Sequence, residues 1–126
     1  MRIVVIGQAA FGESVLNALV DRGETVVAAW CPPDGDGPRI DRLKAASEKQ
    51  GVPVIQFKRM RDREAIDDFR GLNADLCVMA FVTDIVPGDI LSAPTHGTIQ
   101  YHPSLLPKHR GPSSINWPII QGESRT

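Results

Sequence analysis

The chain has 126 residues, 42% of them hydrophobic, and a formal net charge of −1. That length and apolar content fit one globular domain with a single core, and the near-neutral charge excludes the broad basic footprint of a nucleic-acid binder. The N-terminal apolar run is too short for a signal peptide and no segment approaches membrane-spanning length, so the reading is a soluble, cytoplasmic protein that does not engage a membrane.

Taken in order, the residues alternate between strand and helix patterns. Arg2 to Ile6 is a continuous aliphatic run ending at Gly7, as expected of a strand covered on both faces of a parallel sheet. Phe11, Val15, Leu16 and Leu19 recur at helical spacing up to Arg22 and Gly23, where glycine can take the left-handed closing conformation. Thr25 to Trp30 reads as a second strand, followed by Cys31-Pro32-Pro33 and a polar, acidic loop over Asp34 to Pro38. A helix is expected from about Ile40 to Gln50, closed by Gly51, and then a short strand at Val54-Ile55. Ile66 and Phe69 face inward from a charged helix that Gly71 closes, and Leu76 to Ala80 supplies the next strand. Pro87 to Ala93 is expected as a short helix before a strand over Gly97 to Tyr101, and a last helix starts near Ser113 or Ser114. Pro118 inside that helix predicts a kink or an early end near Trp117. Serial units of this kind give an α/β, Rossmann-like, open and mostly parallel sheet with helices on both faces.

Cys31 and Cys77 lie far apart in apolar strands with no C-x-x-C spacing and no histidine cluster, which reads as buried reduced thiols and no metal site. Gly7-Gln8-Ala9-Ala10-Phe11-Gly12 lacks the middle glycine of a dinucleotide fingerprint, and the second strand ends in Trp30-Cys31 with no acidic residue for a ribose. No NAD site is expected in this chain.

The segment from Gln100 to Gly111 places His102 where a strand runs out into a loop bracketed by Pro103 and Pro107. Strand ends are the usual address of catalytic side chains in α/β domains, and histidine is the side chain poised for proton transfer near neutrality. A histidine that packs on Tyr101 or meets a loop carbonyl is the plainer account of the same position. The whole string Gln100-Tyr101-His102-Pro103-Ser104-Leu105-Leu106-Pro107-Lys108-His109-Arg110-Gly111 resembles the Asn-x-His, Pro-Ser-Leu-Leu-Pro signature of the 10-formyltetrahydrofolate-dependent formyltransferase and hydrolase family. The likeness extends to the N-terminus and to Met79 through Gly97, is closest to the family's hydrolase branch, and makes residues 1–126 a formyltransferase-like N-terminal domain.

The resemblance implies a folate substrate or formyl donor, 10-formyltetrahydrofolate, with no metal. It implies a pterin pocket from the loop matching Phe81, Val82, Thr83, Asp84 and Ile85, with Ser104 and Leu105 as further folate contacts. Ser104 alone reads as a hydroxyl bonding its own loop, and Leu105 and Leu106 as packing beneath the site. His102 takes the family's catalytic histidine position, where it would donate a hydrogen bond or a proton to the formyl oxygen as that becomes anionic. Gln100 occupies the position of the usual Asn with one added methylene; the resemblance also implies an aliphatic residue here in the dehydrogenase-type hydrolase branch, under which the amide is dispensable. The family's catalytic Asp belongs to a D-x-x-D-x-G loop downstream of the signature. This chain reaches Arg125-Thr126 without it, and so reads as about two thirds of a catalytic domain, inactive alone for want of that domain's C-terminal part, with a C-terminal domain of the same full-length protein as a candidate partner.

The acceptor follows less directly. The turn after Gly7 lacks the small polar residues of a phosphate loop, and the acidic loop at Asp34 and Asp36 opposes transfer to tRNA. Water, giving hydrolysis, is the expected acceptor. The alternatives are a small-molecule amine such as an amino sugar, methionyl-tRNA, or a non-catalytic folate-binding or interaction module. Lys108, His109 and Arg110 form a small basic patch that could meet the glutamate tail of a folate or a phosphorylated acceptor, or simply be solvated.

Overall fold

A computed structural model describes residues 1–126. Strands β1 (Arg2–Gly7), β2 (Thr25–Cys31), β3 (Val54–Gln56), β4 (Leu76–Ala80) and β5 (Thr98–Gln100) form one sheet in the order β3-β2-β1-β4-β5. Every pairing is parallel. Helices α1 (Ala9–Asp21), α2 (Arg42–Lys49), α3 (Arg63–Gly71), α4 (Gly88–Leu91) and α5 (Asn116–Ile120) follow the strands in turn. The strand order reverses between β1 and β4, which opens a crevice at their carboxyl ends.

The continuous run in β1 is explained by its central place. Ile3 through Gly7 are buried, with Val4 and Ile6 in a cluster under Phe69 of α3 and Ile90 of α4, and Val5 in a second cluster under Leu16 of α1 and Leu43 of α2. Trp30 anchors the first cluster edge-on to Phe69, with ring centroids 5.2 Å apart. Gly7 is fixed by close approach, since a Cβ there would lie 2.2 Å from the Ala80 carbonyl oxygen. Cys31 and Cys77 are free and buried, and burial pushes each thiol up to about 12, so neither supplies a thiolate at neutral pH.

Some helix ends differ from the sequence expectation. Gly71 stays inside the last turn of α3, and the left-handed residue is Asn73 at φ 48°, because Asn also tolerates that region. Neither Ser113 nor Ser114 caps α5 with its side chain; Ser113 sits at φ 64° and its carbonyl accepts from the N–H groups of Asn116 and Trp117. Pro118 does not break α5. It falls in the first turn, where its missing N–H would have had no intrahelical partner, and its ring is buried. No helix is long and apolar enough to cross a membrane.

Candidate functional site

The crevice at the carboxyl ends of β1, β4 and β5 holds a cavity of about 970 Å³. Its walls are Phe81 to Ile85 from the loop after β4, Gln100 to Pro103 from the end of β5, Gly111 to Asn116 leading into α5, and Phe11 from α1. The volume lies at the upper end of the range for small-molecule sites, enough for a ligand with a fused ring system and an extended aryl tail.

The β4 loop enters the cavity under strain and is then tied down. Phe81 has φ 62°, which aims a half-exposed ring from the strand end into the crevice. Asp84 holds the loop by accepting from the N–H of Met60 at 3.3 Å and of Ile85 at 2.8 Å, so its carboxylate is engaged by backbone. Thr83 Oγ1 accepts from Gln8 Nε2 at 3.3 Å, linking this loop to the turn after β1. A second cavity of about 290 Å³, toward β2 and β3, shares Phe81 to Asp84 as its wall, so one loop divides the crevice in two.

Gln100 and His102 alternate with Tyr101 at the end of β5 and both reach the large cavity. Gln100 is exposed and its amide has no protein partner. His102 is half-buried, and its Nε2 lies 2.9 Å from the carbonyl oxygen of His109. A carbonyl only accepts, so Nε2 carries the hydrogen and the neutral ring leaves Nδ1 as an acceptor. The expected donation to an oxyanion is therefore not available from the neutral ring in this geometry. The loop beyond closes on itself through Ser104 Oγ to the Lys108 carbonyl at 2.8 Å.

Ser104 and Leu105 do not line the cavity. The Ser104 hydroxyl is taken by the loop's own backbone, and Leu105 and Leu106 are 54% and 60% exposed instead of packing beneath the site. Phe11 and Tyr101, on the other hand, form part of the wall, with ring centroids 5.2 Å apart, and Asn116 adds an amide from α5. Phe11 was expected in the helical core; its pairing with an aromatic residue at a strand end is the only sequence signal that marks it, and it needs the fold to be read. No group of three or more His, Cys, Asp or Glu side chains is placed to hold a metal ion.

The turn after β1 is closed to anions from within the chain. Ala9, at φ 58°, donates its N–H to Asp41 Oδ2 at 2.8 Å, and Asp41 Oδ1 accepts from the Leu43 N–H at 2.9 Å. One carboxylate thus caps α2 and occupies the N-terminus of α1, where a phosphate would otherwise bind. Asp41→Ala should lower stability by about 2 kcal/mol, combining a lost cap with an orphaned N–H, and Asp41→Asn should recover more than half. Urea denaturation measures both, and a loss confined to a few tenths would show that the bridge carries no weight.

The sequence profile of the formyl transferase family matches residues 1–126. The chain is 44% identical over 130 residues to the cytosolic 10-formyltetrahydrofolate dehydrogenase of Mus musculus, covering 99% of this chain and 14% of that protein. It is 40% identical over 131 residues to the methionyl-tRNA formyltransferase of Citrifermentans bemidjiense, covering 100% of this chain and 41% of that one. Among solved structures, glycinamide ribonucleotide transformylase 1 from Symbiobacterium toebii superposes with a TM-score of 0.76 at 19% identity, over 97% of this chain and 60% of that one. That likeness shows the same fold.

Proposed function

The chain belongs to the formyl transferase family, and from that premise we propose that its β1/β4/β5 crevice binds 10-formyltetrahydrofolate and catalyses release of the formyl group to water. The observation that carries the reading is His102 at the end of β5, held in one tautomer on the wall of a cavity of folate size. Phe81, Val82 and Ile85 supply apolar surface for a pterin ring beside open backbone groups of the same loop.

The geometry suits base catalysis. His102 Nδ1 accepts a proton from water as its oxygen bonds to the formyl carbon, and the carbonyl oxygen becomes anionic within reach of the Gln100 amide. The intermediate then collapses. The bond from carbon to N10 breaks, the imidazolium returns its proton to that nitrogen, and tetrahydrofolate leaves with formic acid, which gives its proton to solvent to become formate.

Water is favoured as acceptor by Asp41, whose carboxylate holds the N-terminus of α1 against a phosphorylated substrate. Transfer to methionyl-tRNA is the second reading, supported by the 40% identical relative and opposed by the Asp41 carboxylate at the N-terminus of α1. A cytosolic setting belongs to the same proposal and follows the mouse relative's name. The test is full-length protein incubated with 10-formyltetrahydrofolate. Formate and tetrahydrofolate appearing in equal amounts without added amine support hydrolysis. Formyl groups recovered on an added amine or tRNA support transfer, and no consumption in any arm overturns the reading.

A further inference from the structure

His109 has a left-handed backbone at φ 53°, which a non-glycine residue keeps only where its surroundings hold it. Its ring supplies the hold. Nε2 lies 2.9 Å from Glu123 Oε1, and the two side chains are only 12% and 23% exposed, so the contact is shielded beyond an ordinary surface pair. Glu123 is itself fixed, its N–H donating to the Pro118 carbonyl at 2.9 Å where α5 ends. The same left-handed turn presents the His109 carbonyl to His102 Nε2.

We propose that Glu123 and His109 are positioning residues for His102: the carboxylate anchors the His109 ring, the anchored ring fixes the backbone turn, and the turn's carbonyl locks His102 in the Nε2–H form with Nδ1 free. The inference rests on His102 being the group that moves the proton. Sequence distance hides the connection, since the three residues come from the β5 exit, the loop and the stretch beyond α5. Nδ1 has no protein partner and is not sealed in the interior, so the lock leaves the working nitrogen accessible. Without Glu123 the turn relaxes, the carbonyl leaves Nε2, and the His102 ring reverts to a mixture of tautomers.

Nitrogen-15 NMR of histidine-labelled protein reads this directly, the three rings being assigned by single substitutions. Wild type should show His102 as the Nε2–H form. Glu123→Ala should shift the tautomer ratio toward Nδ1–H by about tenfold, the upper range for one lost hydrogen bond, and Glu123→Gln, whose amide oxygen still accepts from His109, should restore it. A ratio unchanged within about twofold in the Ala variant, against that expected hydrogen-bond loss, overturns the proposal, as does a wild-type ring in the Nδ1–H form. Should Glu123→Ala fail to fold, His109→Leu, which has no donor for the carboxylate, removes the same tie from the other side and is judged by the same ratio. Turnover separates this claim from the one beneath it. A shifted ratio with formate release unaffected sinks the catalytic reading of His102 and leaves the positioning chain standing. An unshifted ratio sinks the positioning chain even where release depends on His102.

Discussion

His102→Ala should reduce formate release by about 10²–10⁴-fold, the range for loss of a positioned proton-transfer group, while the protein stays folded and binds folate with nearly native affinity. The stability cost should be small. The side chain is half-buried and makes one protein hydrogen bond, to the His109 carbonyl, so its removal should lower stability by about 1 kcal/mol. His102→Gln separates the two roles, because the Gln amide can still donate to that carbonyl yet has no basic nitrogen. It should restore most of the lost stability and none of the rate. Thermal unfolding, folate titration and turnover on the same preparations decide the matter. A variant that melts early but keeps its activity per folded molecule would make His102 structural and remove the main support for the proposed chemistry.

The parts of the fold that could be read from sequence are those fixed by burial. Ile3 to Gly7 is unbroken and apolar because helices cover both of its faces, and Leu76 to Ala80 reads the same way beside it. The place of His102 was legible because a strand of three residues ends in front of two prolines, but that pattern left two readings open, and the contact with the His109 carbonyl is the plainer of them. Long-range ties left no local mark. Asp41 looks like an ordinary helix cap, and only the fold brings its second oxygen to Ala9, 32 positions earlier. His109 and Glu123 read as surface charge until α5 folds Glu123 back, and only the fold shows that the turn they form meets His102 Nε2 with a carbonyl. Pro118 misleads for a related reason: its effect depends on where the helix starts, and the turn at Ser113 delays that start until Pro118 falls in the first turn.

Gln100→Leu should raise the barrier to formyl release by about 2.7–4 kcal/mol, the cost of removing one oxyanion donor, with KM little changed because the donor acts on charge that develops only in the transition state. The reasoning is positional. Gln100 is the last residue of β5, its backbone is paired alongside Met79, and its amide projects at the cavity wall two residues from His102 with no protein group to satisfy it. An exposed amide with no partner contributes little to folding, so the Leu variant should keep its stability within about 0.5 kcal/mol. Any loss of rate then belongs to chemistry. Gln100→Asn, one methylene shorter, should retain activity within about tenfold if the cavity wall can bring the donor to the oxygen, since such stabilisation tolerates little displacement. The competing account is a solvated strand end, under which Leu, Asn and Gln would turn over at rates within about tenfold of one another, short of the loss expected for an oxyanion donor. That result would remove Gln100 from the catalytic set and leave the backbone N–H groups of the β4 loop and the Asn116 amide as the remaining donors on the cavity wall.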